Sequence, residues 1–357
     1  MNRSISAALA AAALFGISTP LAKELVGAVD PLLLAGLLYV GSGLGLGAAL
    51  MAARLVRPKR ARRVAWPTGS QLRWLLPAIF VGGVVGPVLL MLGLERTPAA
   101  GASLLLNTEA VLTALFAWFV FREHVDRRIA AGMLLIVAGG VVLAWSRAPV
   151  SPPFGAVLIV GACACWALDN NLTRNVTSGD PITIAFLKGL AAGLVNVSLA
   201  AALGLPWPTA GHLAAALLVG FIGYGVSLTL FVVALRGLGT GRTAAYFSVA
   251  PFVGAGFALA IGSEPVTGQL MLAGALMAIG VWLHVTERHE HWHEHSALVH
   301  EHAHVHDEHH RHTHDADWDG SEPHAHRHSH PAMRHVHPHF PDLHHRHDHR
   351  GRRETEG

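Results

Sequence analysis

Three ionisable residues stand inside long apolar stretches of this chain: Glu109 in SLLLNTEAVLTALF, Asp169 in CACWALDNNLTRN and Lys188 in ITIAFLKGL. A charge among apolar side chains is costly, and it is kept where it binds, couples or pairs. Glu109 has Asn107 and Thr108 beside it. It lies about eleven residues into its stretch, roughly 16 Å along a helix and so close to a bilayer midplane. A carboxylate at that depth can carry a coupling proton or bind a cationic group; the plainer reading is a protonated Glu hydrogen-bonded to a neighbouring helix. Asp169 and Lys188 fall roughly 6 Å and 10 Å from the same end of consecutive helices, which are usually neighbours in space, so the two are expected to pair. The pair can serve as a gate or substrate contact, or it can be a structural ion pair; alternatively Lys188 snorkels to the surface. Asn170, Asn171 and Asn196 bring further polar groups into apolar segments, and Trp166, Tyr39, Tyr224 and Tyr246 could line a cavity and stack on a solute. Aromatic residues at such positions are more often packing or interfacial anchors.

A second body of chemistry lies at the other end of the chain. Of the 26 histidines, only His124, His212 and His284 precede residue 288. The others cluster as His289, His291, His293 and His295; as His300, His302, His304, His306, His309, His310, His312 and His314; and as His324, His326, His328 and His330. His335, His337 and His339 follow, then His344, His345, His347 and His349. Neutral imidazole ligates Zn, Ni, Cu and Co, with affinity rising toward Cu(II). Alternation by two lets a flexible chain wrap several rings around one ion, but it fixes neither ligand number nor geometry. Imidazolium does not bind, so affinity should fall below about pH 6.5. The segment can collect metal for export, sense metal and gate the rest of the chain, or buffer metal with no such link. A divalent transition metal is thus an expected tail ligand, and no cofactor is required elsewhere.

The elements that must position these groups follow from composition. The chain is 52% hydrophobic and 14% charged, against about 25% charged in an average soluble domain. Residues 1–286 hold 18 Lys/Arg and 9 Asp/Glu, and residues 287–357 hold 8 and 14. The first part has a membrane composition; the second is too polar to bury a core and is expected to be disordered. Ten apolar stretches are long enough to cross a bilayer: roughly 4–24, 31–53, 72–94, 98–120, 129–146, 154–174, 181–203, 211–235, 241–262 and 267–286. Many are rich in Gly and Ala, which allows close helix approach in lipid. Period-two alternation is absent from them, which argues against a β-barrel. Cys163 and Cys165 form no disulfide framework and no zinc knuckle. No phosphate-binding loop, nucleophile elbow or HExxH is present, so no enzyme activity is expected and any transport is driven by gradients. The basic residues sit in short loops rather than along one face, which excludes nucleic acid as a partner.

Those loop residues also set the orientation. With the N-terminus inside, thirteen Lys/Arg lie on the inner side, from Arg3 through the run Arg54–Arg63 to Arg242, against Lys23, Arg96 and Arg147 outside. Both termini, and the histidine tail, are therefore expected to face the cytoplasm. The segment FGISTPLAKELVGAVDP (15–31) aligns with WALDNNLTRNVTSGDP (166–181), setting Pro20 on Asn171, Lys23 on Arg174, Asp30 on Asp180 and Pro31 on Pro181. Further on, an offset of 141 sets Glu123 on Glu264, Gly139 on Gly280 and Glu109 on Ala250, next to Pro251. The first stretch thus has a counterpart in mid-chain, which argues for a retained helix rather than a cleaved signal. Five spans per half make the repeats inverted, an arrangement suited to alternating access.

The paired five-helix halves, the Asp-Pro opening the second helix, the Glu after the fourth and the Gly-rich fifth resemble the EamA-type members of the drug/metabolite transporter superfamily over residues 4–286. The resemblance implies ten helices around a central cavity and movement of small metabolites, amino acids or drugs, often outward. Lys188 also resembles a basic residue of the second helix in that family, where the first half has Leu38–Tyr39. The expected architecture is an all-α membrane protein: repeats at 1–147 and 148–286 and a tail at 287–357, in a bacterial cytoplasmic membrane. Its expected partners are a small solute, membrane lipid and divalent metal ions; a homodimer is left open. The leading reading is export of a small organic solute, with divalent metal export and metal sensing without flux as alternatives.

Overall fold

The computed structural model describes residues 3–56, 69–121, 127–145, 154–173, 181–238, 243, 246–262, 265–286, 290–295, 298–304, 324–330 and 333–338. The chain falls into two compact units, Met1–Glu287 and Arg288–Gly357.

The first unit is helical. Its first half runs α1 (Arg3–Val26), α2 (Pro31–Val56), α3 (Gly69–Ala78), a π-helical segment (Ile79–Val85), α4 (Gly86–Arg96), α5 (Ala99–Leu105), α6 (Thr108–Phe121) and α7 (Arg127–Ala144). Its second half runs α8 (Phe154–Thr173), α9 (Pro181–Ala202), α10 (Ala210–Val219), a second π-helical segment (Gly220–Val226), α11 (Ser227–Leu238), α12 (Ala250–Ala260) and α13 (Gly268–Val285). Helix occupies each of the ten expected stretches. Among the described residues, seven segments are long and apolar enough to cross a membrane. Arg128–Ala144, Ala250–Ala260 and Gly268–Leu283 are shorter apolar helices.

The local reasons are readable. Asp30 accepts from Leu32 N at 2.8 Å and Leu33 N at 3.5 Å, so the Asp-Pro pair is an N-cap followed by a proline that needs no donor. Thr209 and Thr267 cap α10 and α13 in the same way. Asp180, Arg174, Glu123 and Glu264, which carry part of the repeat alignment, lie outside the described residues, as does the basic run from 57 to 63.

The two halves match in detail. Each of α3, the first π-helical segment, α4 and α7 begins 141 residues before its counterpart in α10, the second π-helical segment, α11 and α13. Their contacts are reciprocal. A side chain at Gly139 of α7 would meet Met277 and the carbonyl of Ala273, while one at Gly280 of α13 would meet Ile136 and the carbonyl of Gly132. These two contact sets exchange under the offset, which only a two-fold relation between the halves permits. Residue numbers fall along α13 as they rise along α7, so the pair is antiparallel. Helices α2 and α9 cross in the same manner: Gly43 lies on Leu190, and Gly193 on Val40 and Gly36. At these crossings glycine is required because backbone meets backbone.

The fourth and ninth stretches are both broken near their middles. A turn at Leu106–Asn107 separates α5 from α6, and a turn at Ser248–Val249 precedes α12. Pro251 accounts for the second break, since a proline near a helix start costs no hydrogen bond. Beyond the breaks, Ala99, Ala100 and Leu104 of α5 pack on Ala255 and Ala258 of α12.

The second unit corresponds to the His-rich tail from residue 287. Its described residues form β1 (Glu290–His295), β2 (Leu298–His304), β3 (His324–His330) and β4 (Met333–Pro338). Strand β1 pairs antiparallel with β4, and β2 with β3. Alternation by two, read from the sequence as a flexible chelating pattern, is also the period of a strand.

Candidate functional site

The polar residues of the helical unit converge on the first π-helical segment. A π turn leaves carbonyl groups without their usual α-helical donors, and three side chains supply donors here. Trp166 Nε1 donates to Gly82 O at 3.0 Å, Tyr39 Oη donates to the same oxygen at 3.2 Å, and Asn196 Nδ2 donates to Val84 O at 3.2 Å. Helices α8, α2 and α9 are thereby tied to one segment. Asn196 is fully buried, and its Oδ1 has no partner among the described residues.

One turn along α8 from Trp166, Asp169 lies against Gly82, where any side chain would collide with the carboxylate. Lys188 Nζ donates to both Asp169 oxygens at 2.6 Å and to Thr173 Oγ1 at 3.3 Å. Thr173 in turn donates to Asp169 Oδ1 at 2.9 Å. All three ammonium protons therefore have acceptors, and the expected Asp169–Lys188 pair is formed. Both side chains are largely shielded, 9% and 18% exposed, so the two charges depend on each other.

Glu109, in the first turn of α6 just past the helix break, accepts from Asn170 Nδ2 at 3.0 Å through Oε1. Asn170 adjoins Asp169 in sequence, so the carboxylate and the ion pair share one stretch of α8. The other expected residues do different work. Asn107 donates to Leu104 O at 2.9 Å and Thr108 to Leu105 O at 2.7 Å, closing the broken helix ends. Asn171 donates back to Ala167 O within its own helix. Tyr224 belongs to the second π-helical segment; its ring lies 5.8 Å from that of Phe15, edge to face, and 5.8 Å from that of Tyr39, tilted. Tyr246 packs instead with Ala7, Ala8 and Ala234 in an apolar cluster.

Several participants were not singled out in the sequence. Phe15 is the first-half counterpart of Trp166, and Ser18 that of Asp169; Ser18 lies against Gly223 as Asp169 lies against Gly82. The glycines of VGGVVG and the repeat alignment together carried that signal. Lys23, read as an outer loop charge and as the repeat counterpart of Arg174, donates to Leu94 O and, at 3.3 Å, to Glu95 O, capping the end of α4.

In the tail, the register sets His291 opposite His337 and His293 opposite His335. His300 stands opposite His328, His302 opposite His326 and His304 opposite His324, while His295 and His330 face Met333 and Leu298. His289, His306, His309, His310, His312, His314, His339, His344, His345, His347 and His349 lie outside the described residues. Among the described residues, no group of three or more His, Cys, Asp or Glu is placed to hold a metal ion.

Comparison with known proteins agrees with the doubled architecture. The model of the EamA-like transporter family matches twice, over residues 2–145 and 153–286. An "Uncharacterized transporter" of Methanothermobacter thermautotrophicus is 27% identical over 286 residues, covering 75% of this chain and 82% of that one. The "Probable amino-acid metabolite efflux pump" of Salmonella typhimurium is 26% identical, covering 60% of this chain and 83% of its own. The "Probable 4-amino-4-deoxy-L-arabinose-phosphoundecaprenol flippase subunit ArnE" of Pseudomonas aeruginosa is 38% identical over 115 residues, 31% of this chain and 93% of that protein. A solved structure with 23% identity and a TM-score of 0.58 covers 78% of this chain and 95% of its own, and shares the fold. With both halves matched, the chain belongs to the EamA-like transporter family.

Proposed function

We propose that this protein is a secondary transporter that exports a small organic solute by alternating access. The observation that carries the reading is the joint placement of Glu109 and the Asp169–Lys188 pair beside a helix break and a π-helical segment, inside two-fold related halves. Broken and π-helical elements bend at low cost, and two-fold related bundles can exchange which end is closed. Glu109 is the coupling group; Asp169 and Lys188 are substrate or gate contacts. Two of the relatives are named for 4-amino-4-deoxy-L-arabinose-phosphoundecaprenol and for amino-acid metabolites, which supports an organic cargo over a metal ion.

The chain sits in a bacterial cytoplasmic membrane with both termini in the cytoplasm, as the loop charges favour. In that orientation the packed α5–α12 contact and the Lys23 cap lie toward the outer side. The state described is then closed outward, ready to take solute from the cytoplasm. The test is flux in proteoliposomes under an imposed pH gradient, with a broad panel of organic solutes. No flux of any solute would favour a metal-sensing membrane protein instead.

A second reading is export of Ni, Co, Zn or Cu fed by the tail. The cross-strand histidine pairs favour a metal-holding tail. Growth in excess metal, with the chain intact or ended at residue 287, separates the readings. Unchanged tolerance on truncation sinks metal export.

A further inference from the structure

We propose that the tail holds divalent transition metal in sites set by strand register: each ladder takes one ion between two neighbouring histidine rungs, four imidazoles to an ion. The proposal rests on the metal-holding reading of the tail given above, not on what the helical unit transports. Its first support is the register. Two successive rungs of β1 and β4 pair histidine with histidine, His291 with His337 and His293 with His335. Three successive rungs of β2 and β3 do the same, from His300 with His328 to His304 with His324. Histidines hold odd positions in β1 and even ones in β2, so their parity changes along that strand. They hold even positions in β3 and odd ones in β4, and the change falls at the facing place. Two positions separate β1 from β2 and two separate β3 from β4, so one register runs through both ladders. A slip of one residue would set every paired histidine against a residue of another type.

The second support comes from the rungs between the histidines. Glu294 stands opposite Arg334 and Glu301 opposite Arg327, one such pair in each ladder. Trp292 stands opposite Val336. Opposite charges and aromatic–β-branched pairs favour the register in which they face each other, so residues that are not ligands favour the register that aligns the ligands. The spacing also fits. Facing Cβ atoms are about 5 Å apart, and alternate positions on one strand about 7 Å. Nitrogens around a tetrahedral ion stand roughly 3.3 Å from one another, a difference that an imidazole ring can span. Among the described residues no three ligands are already assembled, so the ion itself draws two rungs together. A two-stranded ladder is marginal in water, and metal binding supplies free energy for its ordering. Neutral imidazole suits Zn(II), Ni(II), Co(II) and Cu(II), whereas Mg(II) keeps oxygen ligands.

The test uses the full chain in detergent, with Zn(II) and Mg(II) titrated by calorimetry. The tail histidines outside the four strands are replaced by Ser, so that they add no background. The expected result is about two tightly bound Zn(II) per chain, one to each ladder, and no Mg(II). Circular dichroism, taken as the difference from the chain ended at residue 287, should gain β signal as Zn(II) binds. One Ser inserted between Pro331 and Ala332 keeps every histidine and moves β4 by one residue against β1. It should weaken one of the two ions at least tenfold. A second Ser, inserted between Ser296 and Ala297, realigns the strands and should restore that ion. The ladder sites are overturned by any of three results: no tight Zn(II) in the substituted chain, both ions unchanged after the first insertion, or no recovery after the second. The tail is then a flexible chelator. If the intact chain, with all its histidines, takes up no Zn(II), the metal-holding reading itself falls.

Discussion

Asp169 is a buried carboxylate and Glu109 a half-buried one, and their surroundings assign them different tasks. Asp169 has a cation on both oxygens and a hydroxyl on one; Glu109 has one amide. Replacing Glu109 by Gln keeps an oxygen for Asn170 and removes the charge. Flux driven by a pH gradient should then be lost while the protein stays monodisperse, as proteoliposome assays and size-exclusion chromatography would register; unchanged coupling would refute its role. Asp169→Asn leaves Lys188 facing a neutral group, and breaking such a shielded pair costs about 3–5 kcal/mol. Thermal unfolding in detergent should show that loss. The double variant Asp169→Leu with Lys188→Met should regain most of the stability. If it regained flux as well, the pair would be structural and no gate.

At the scale of elements, the glycine crossings and the π-helical segments make separate predictions. Gly139 and Gly280 stand in reciprocal contacts on α7 and α13, so valine at either should cost a similar amount, about 1–3 kcal/mol for an overpacked crossing. Unequal losses of thermal stability would count against the two-fold relation at that crossing. Gly82 differs, because its missing side chain makes room for Asp169 rather than for backbone. Gly82→Ala should displace the carboxylate and reduce flux more than it reduces stability. Lys23 closes one end of α4. Lys23→Met should free that end, raising the labelling of a cysteine placed at position 99 from outside the cell, in a chain whose Cys163 and Cys165 are replaced by Ala.

For the whole molecule the question is whether its two units communicate. Ending the chain at residue 287 removes the second unit and leaves every residue of the polar site in place. Organic solute flux should be unchanged, and stoichiometric Ni(II) or Zn(II) binding should disappear. In the intact chain metal affinity should be full well above about pH 6.5, the midpoint of imidazole titration, and should fall as pH drops through it and protons compete for the ring nitrogens. Isothermal titration at pH 7.5 and 5.5 would measure the difference. If metal raised or lowered flux in the intact chain alone, the tail would be a regulator; if flux ignored it, a buffer.

Much of this molecule was legible in its amino acids, because the reasons are local or additive. Apolar length marks spans, loop charge suggests orientation, and the alignment of 15–31 with 166–181 announces a duplication whose helices the structure reproduces 141 residues apart over much of the chain. The Asp169–Lys188 pair was legible too, since consecutive helices tend to be neighbours and both residues lie near the same end. Other features required the folded chain. Nothing in IFVGGVV by itself says that Gly82 will offer one carbonyl to both Trp166 and Tyr39, residues far away in sequence. Nor does a scatter of aromatic residues say that Tyr224 will meet both Tyr39 and Phe15. Those facts depend on which helix faces which, and that is decided by how small residues at each crossing let backbones approach. The sequence by itself determined a doubled membrane protein with three charges inside it; the tertiary structure decided that Lys188 serves Asp169 while Glu109 is met by the amide of Asn170.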